Sequence, residues 1–185
     1  MTIWDPRNPH TISHIETLCK VLLPLIQSDF ELPASKTGGI LEIFISKDSS
    51  KGPASWHKCC TIRFGMQADE SSWEAFEFFS SEKTTRLMKE TAVNGHISSW
   101  QTRNRDRWEF GGAILLEVML NTAMGPEDFE IIISSSGLNE VSEETICMAT
   151  AKNLEWGDEE RYAAILSVSD PEGKRKLTIL PSMKH

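Results

Sequence analysis

The sequence predicts an α+β domain on one mainly antiparallel sheet, and three observations carry that expectation. Its apolar residues switch between helical spacing and short β-rich runs, in the order helix, hairpin, helix, hairpin, helix, hairpin. Turn residues separate the two runs of each pair: Lys47 to Pro53, Gly125-Pro126, and Asp170-Pro171-Glu172-Gly173. With 39% hydrophobic and 25% charged residues, 185 residues suit one core, and no apolar run approaches the roughly 20 residues of a membrane span.

From Thr11 to about Ile26, the residues Ile12, Ile15, Leu18, Leu22, Leu25 and Ile26 share one helical face. Ser13 and Glu16 have capping-box spacing, Pro24 is expected to kink or end the helix, and Pro9 to leave His10 outside it. After Gly38-Gly39, Ile40 to Ser46 and Lys58 to Met66 read as an antiparallel hairpin. Ser71 or Ser72 then caps a helix reaching Thr91, with Trp73, Phe76, Phe79, Lys83 and Leu87 at helical intervals. Asn94 to Glu109 is polar and aromatic without a period, hence a loop or a binding segment. Gly111-Gly112 introduces the run Ala113 to Leu120, and Phe129 to Ser134 returns beyond Gly125-Pro126 as a second hairpin. A third helix runs from Asn139 to about Leu154, capped by Asn139 or Ser142. Tyr162 to Ser169 and Leu177 to Leu180 are expected to form a terminal β-hairpin.

The formal net charge of −8 argues against nucleic acid as the main partner, because phosphate binding needs a cationic footprint. No basic segment followed by an apolar one opens the chain, so the expectation is a cytoplasmic protein without a membrane partner. The cysteines Cys19, Cys59, Cys60 and Cys147 lack disulfide or metal spacing, and the adjacent pair falls on opposite faces of a strand. Between Glu127 and Glu160 stand ten acidic residues and one cation, Lys152. A solvated face of the third helix explains them; a divalent cation or a basic protein partner is the functional alternative.

His10 and His14, four apart, have the spacing of a two-point metal or haem site, although a surface pair explains them as well. His96 lies in the polar segment beside Trp100. Arg103, Arg105 and Arg107 alternate between Trp100 and Trp108, a composition suited to a carboxylate, phosphate or planar ring, and equally to a subunit interface. Gly111-Gly112 and Ser136-Gly137 suit backbone N–H groups turned toward an anion, or simply turns with positive φ. No Ser-His-Asp order, nucleophile elbow, phosphate loop or dinucleotide fingerprint is present.

Two segments carry a family likeness: Glu109-Phe110-Gly111-Gly112-Ala113-Ile114-Leu115-Leu116, and Ile131-Ile132-Ile133-Ser134-Ser135-Ser136-Gly137-Leu138-Asn139 entering an acid-rich helix. With the Lys83-Thr84-Thr85-Arg86 helix, they resemble the GlcG/HbpS-like family, most closely its small cytosolic branch with fungal members, over roughly Ile12 to Leu154. The resemblance implies a profilin-like layered domain with a sheet of about five strands and a habit of forming dimers or rings of dimers. Haem is a possible ligand, since some relatives bind it. Gly111, Gly112, Ser136, Gly137 and Glu143 occupy the motif positions, with Glu143 where Asp is commoner and Phe110 where the branch usually has His.

The expectation is therefore one domain with a family-like core at about 12–154 and an extension at about 155–185. It would be an oligomeric, non-enzymatic binding protein for a small planar or anionic ligand, its pocket between the glycine motifs and the Trp100 to Trp108 segment. One alternative is an enzyme on a small carboxylate or carbonyl compound, with Arg103 or Arg105 as clamp and Glu143 as acid or base. The other is an adaptor whose acidic window docks on a basic protein.

Overall fold

In the computed structural model, which describes residues 4–66 and 69–173, four strands pair wholly antiparallel. They are β1 (Gly38–Ser46), β2 (His57–Gly65), β3 (Ala113–Thr122) and β4 (Gly125–Ser136), in the order β2-β1-β4-β3. The helices are α1 (Pro9–Asp29), α2 (Glu70–Asn94), α3 (Glu140–Asn153) and α4 (Glu159–Ser169). Side chains alternate across a strand, so the register of each pair decides which residues meet which helix layer.

Leu41, Ile43, Ile114, Leu116, Ile131 and Ile133 belong to the main core, which they share with Ile15, Leu22 and Ile26 of α1, Ile146 of α3, and Tyr162 and Ile165 of α4. The other face is smaller and more polar. There Ala113, Leu115 and Ile132 pack with Leu87 and Met88 of α2, and the Ser80 hydroxyl of α2 donates to that of Ser134 at 3.0 Å. The buried Glu42 on β1 is held by Lys58 and Thr61 of β2.

Several boundaries follow caps that periodicity does not show. Asn8, not Ser13, caps α1 by accepting from the His10 N–H at 2.9 Å. Pro9 takes the first helical turn, where no N–H partner is needed, so His10 lies inside the helix. Pro24 does not end α1, because Leu22, Leu23 and Ile26 are buried around it and hold the helix across the missing N–H. Asp69 caps α2 one turn before the expected serines act.

Two further expectations are corrected. The described sheet has four strands rather than about five. Tyr162 to Ser169, expected as a strand of a C-terminal hairpin, is helix α4: Asp158 caps it through the Arg161 N–H at 2.8 Å, Glu159 and Glu160 fill its first turn, and Tyr162 and Ile165, three apart, turn inward. Leu177 to Leu180 lies outside the described residues. Among the described residues, no helix is long and apolar enough to cross a membrane.

The α3–α4 connection is anchored by Trp156, fully buried, whose indole N–H donates to the Trp4 carbonyl at 2.7 Å. Trp156→Ala removes the largest fully buried side chain, so a loss of ~3–5 kcal/mol is expected from chemical denaturation; a midpoint within error of the wild type would contradict this packing.

Candidate functional site

The site begins where β4 outruns β3. Their ladder ends at Ala113 opposite Ser134, with one further bond from the Ser135 N–H to the Gly112 carbonyl at 3.2 Å, while Ser136 pairs only with Ile40 on β1. Into this end reach Lys83 from α2 and Glu143 from α3, helices on opposite faces of the sheet. Lys83 Nζ donates to Glu143 Oε2 at 2.6 Å and to the Ser135 carbonyl at 2.8 Å. Glu143 Oε1 accepts from the N–H groups of Gly137 and Leu138 at 2.9 and 3.1 Å. Both side chains are almost wholly buried, 2% and 6% exposed. Burial pushes the Glu143 carboxyl above its ordinary value, although Lys83 and the two N–H groups oppose it.

Two glycines make this contact sterically possible. Gly112 has φ +106°, and a Cβ there would lie 2.9 Å from Glu143 Cβ. Gly137 has φ +117°, and a Cβ would lie 2.7 Å from the Gly38 carbonyl oxygen. The donors expected at Ser136-Gly137 are thus turned inward on the protein's own carboxylate.

The same happens at the arginines. Arg103 binds Glu140 with both Nε and Nη2, at 2.6 and 2.8 Å; Arg105 adds Nη2 at 2.6 Å, and the Gly111 N–H donates at 2.9 Å. Burial raises the Glu140 carboxyl, but Arg103, Gly111 and Arg105 outweigh it and hold the group at about 2. Arg86 fastens the segment from behind, donating to the Ser99 and Phe110 carbonyls and to Thr102 Oγ1 at 2.9, 2.7 and 2.6 Å. Two single turns of 3₁₀ helix, Ser99–Thr102 and Arg105–Arg107, therefore replace an open loop. After them, Trp108 takes a left-handed backbone, φ 60°, with its ring 67% exposed.

A cavity of ≈ 600 Å³ opens between this segment, α2 and the start of α3. Phe76, Phe79, Trp100, Trp108 and Phe110 form its aromatic walls, and Lys83 and Glu143 also line it. The Phe79 and Trp108 rings run nearly parallel, 19° apart with centroids 6.3 Å apart, and Phe110 meets both edge-on. Three cations, Lys36, Lys83 and Arg105, face two carboxylates, Glu140 and Glu143, in a chain of net charge −8. Among the lining side chains, Ser136 Oγ, Asn139 Nδ2, Trp108 Nε1, Arg105 Nη1 and Lys36 Nζ are without a partner among the described residues, and each is able to donate.

Of the residues singled out from sequence, Trp100, Arg105, Ser136, Gly137 and Glu143 line the cavity. Arg103 stands outside the lining, 4.7 Å over the Trp100 ring. Gly111 and Gly112 contribute backbone and space rather than lining. His96 lies elsewhere, half-buried, with Nδ1 3.9 Å from Glu90. His14 stacks on Trp4 and bonds Asn153 Oδ1 at 2.8 Å, whereas His10 is exposed, so the two do not converge on one ion. No group of three or more His, Cys, Asp or Glu placed to hold a metal occurs among the described residues. Burial pushes Cys59 and Cys60 up to about 11 and about 12, which keeps both as thiols.

The acidic window is not simply a solvated face: Glu140, Glu143 and Glu144 turn inward, the last onto the Ser98 and Ser169 hydroxyls. Nothing local marks Glu140 within that window, although the three arginines between Trp100 and Trp108 call for such a partner. Comparison of the chain with protein-family models, curated protein sequences and solved structures gives no match.

Because Glu140 is held lower when folded than when unfolded, its contribution is complete above the ordinary carboxylate range and disappears as pH falls toward about 2. The melting-temperature gap between wild type and Glu140→Gln should therefore be widest near neutral pH and shrink steadily through that range; a pH-independent gap would remove the ion pair as its cause.

Proposed function

We propose that this protein binds a small planar anion in the aromatic cavity between α2, the Trp100–Trp108 segment and the start of α3. The observation that carries the reading is the composition of the cavity: ring faces for walls, and at their edge side-chain atoms without a protein partner that can each donate. Ring faces favour a flat aromatic or heteroaromatic body, since stacking adds ~0.5–1.5 kcal/mol beyond area burial. Arg105 Nη1, Lys36 Nζ, Asn139 Nδ2 and Ser136 Oγ suit a carboxylate or a comparable acceptor-rich group on its edge. A neutral ligand would leave the cationic excess uncompensated.

The likeness to the GlcG/HbpS-like family supports this placement, because Ser136, Gly137 and Glu143 of its motifs line the same cavity. A profilin-like architecture and assembly into dimers or rings of dimers belong to the same proposal. Haem does not fit the lining: none of these residues is His, Cys, Met or Tyr, so an iron there would lack the usual axial ligands. Phe110, standing where the family branch usually has His, provides an apolar wall instead.

Titration with 2-naphthoate tests the reading. Trp100 and Trp108 line the cavity, so saturable quenching of tryptophan fluorescence is expected. Loss of one charge-assisted hydrogen bond of ~1.5 kcal/mol means about tenfold weaker binding in Arg105→Ala, and 2-naphthol should likewise bind more weakly than the acid. No saturable change in the wild type, or equal affinity for acid and alcohol, overturns the proposal.

A further inference from the structure

We propose that Lys83 captures the carbonyl group of a planar, anionic aldehyde as an imine, with Glu143 moving the protons. The inference rests on the binding reading above and gives its ligand a chemical class.

Lys83 and Glu143 are the two titratable side chains at the buried end of the cavity. An ammonium has three N–H bonds. Lys83 directs one to Glu143 Oε2 at 2.6 Å and one to the Ser135 carbonyl at 2.8 Å, which leaves a position on nitrogen outside those contacts. The carboxylate is fixed as well, since the Gly137 and Leu138 N–H groups hold Oε1 and leave Oε2 on the amine. A purely structural ion pair would gain from enclosure by apolar packing. This one lies against a ≈ 600 Å³ cavity with aromatic walls. The reactive form has one proton passed across the 2.6 Å contact from nitrogen to Oε2, leaving both groups neutral and the amine lone pair free; burial, which raises the Glu143 carboxyl, assists on the carboxylate side.

From that neutral pair the step balances. The Lys83 nitrogen bonds to the carbonyl carbon, the carbonyl oxygen takes the Glu143 proton, and the nitrogen returns one of its own to Glu143, giving a carbinolamine. Glu143 then protonates the hydroxyl, and the C–O bond breaks to release water. The products are a protonated imine on Lys83 and an ionised Glu143, still paired, with no oxidant or reductant consumed. The anionic edge of the ligand lies toward Arg105 and Lys36, the other two cations of the cavity.

The test uses the full chain and 4-formylbenzoate, with 4-(hydroxymethyl)benzoate as a probe of matched shape that lacks a carbonyl. Both are titrated by tryptophan fluorescence, and the aldehyde sample is then reduced with borohydride, digested and mapped by mass spectrometry. The expected result is one reduced adduct per chain on the peptide carrying Lys83, blocked by excess alcohol probe. Glu143→Gln should slow its formation at least tenfold per chain that still binds the alcohol probe. Saturable binding of both probes without an adduct at Lys83, or with adducts only on Lys36 and surface lysines, overturns the imine and leaves the binding reading intact. No saturable binding of either probe removes both. Mapping is done on the wild-type chain, so the outcome does not depend on whether a Lys83 variant folds.

Discussion

The Lys83–Glu143 contact is the constraint around which this end of the molecule is organised. It joins α2 and α3, which lie on opposite faces of the sheet, through a gap that exists because β3 starts opposite Ser134, two residues short of the end of β4 at Ser136. Desolvating two charges is costly, and their attraction offsets that cost only when the remaining valences are filled. Here Ser135, Gly137 and Leu138 fill them from the backbone of β4 and the turn after it. Removing one partner would leave the other buried without its counterion, a loss of ~3–5 kcal/mol in comparable pairs, so the pair specifies how the helix layers meet more than it adds net stability. A Cβ at Gly112 would collide with Glu143, so the contact needs glycine there, while Gly137, at positive φ, supplies one of the N–H groups that hold the carboxylate.

A second consequence concerns anions. Glycine turns and arginine clusters in a sequence suggest donors awaiting an external ligand. In this fold the two most concentrated donor sets are already taken, one by Glu143 and the other by Glu140. What faces the cavity is the remainder: one guanidinium nitrogen of Arg105, the Lys36 ammonium, an amide and a hydroxyl. Such dispersed donors hold the edge of a ligand and not its centre, and the aromatic walls supply the rest. The internal carboxylates also make the walls rigid, since Glu140 ties the Trp100–Trp108 segment to the first turn of α3.

Periodicity was a sound guide where burial is one-sided and a poor one where caps or polar layers decide. The hairpins and the α3 boundary were legible because Ala113 to Leu116 and Ile131 to Ile133 are apolar runs and Asn139 is a strong cap. Helix α4 was misread because Tyr162, Ile165, Leu166 and Val168 have β-prone composition, while its helical signal rests on Asp158 and two acidic residues outside that run. Within the site, Gly111-Gly112 and Ser136-Gly137 are legible as turn glycines, whereas Glu143 and Lys83 stand out only through a resemblance to a family. The mutual pairing of these two is not legible, because it spans 60 residues of chain. Glu140 stayed hidden for the converse reason: in an acid-rich window, nothing local separates a carboxylate that turns inward from one that faces water.

Helix α2 shows where the cavity comes from. Its 25 residues carry no continuous apolar stripe, which would be odd for a helix covering a sheet. Only its second half does that work, with Leu87 and Met88 on Ala113, Leu115 and Ile132. Along its middle, Ser80 and Thr84 are buried, and the Ser80 hydroxyl meets Ser134. The aromatic first half lies past the end of β3, where no strand remains to pack against, so Phe76 lies beside Gly137 and Phe79 packs on Phe110 and Trp108 in the cavity wall instead. Large apolar rings held half-exposed by a well-anchored helix lose hydrophobic stabilisation that a filled core would have given. A flat ligand seated against them would recover part of it, which favours the cavity, and not the acidic surface, as the place of the proposed binding.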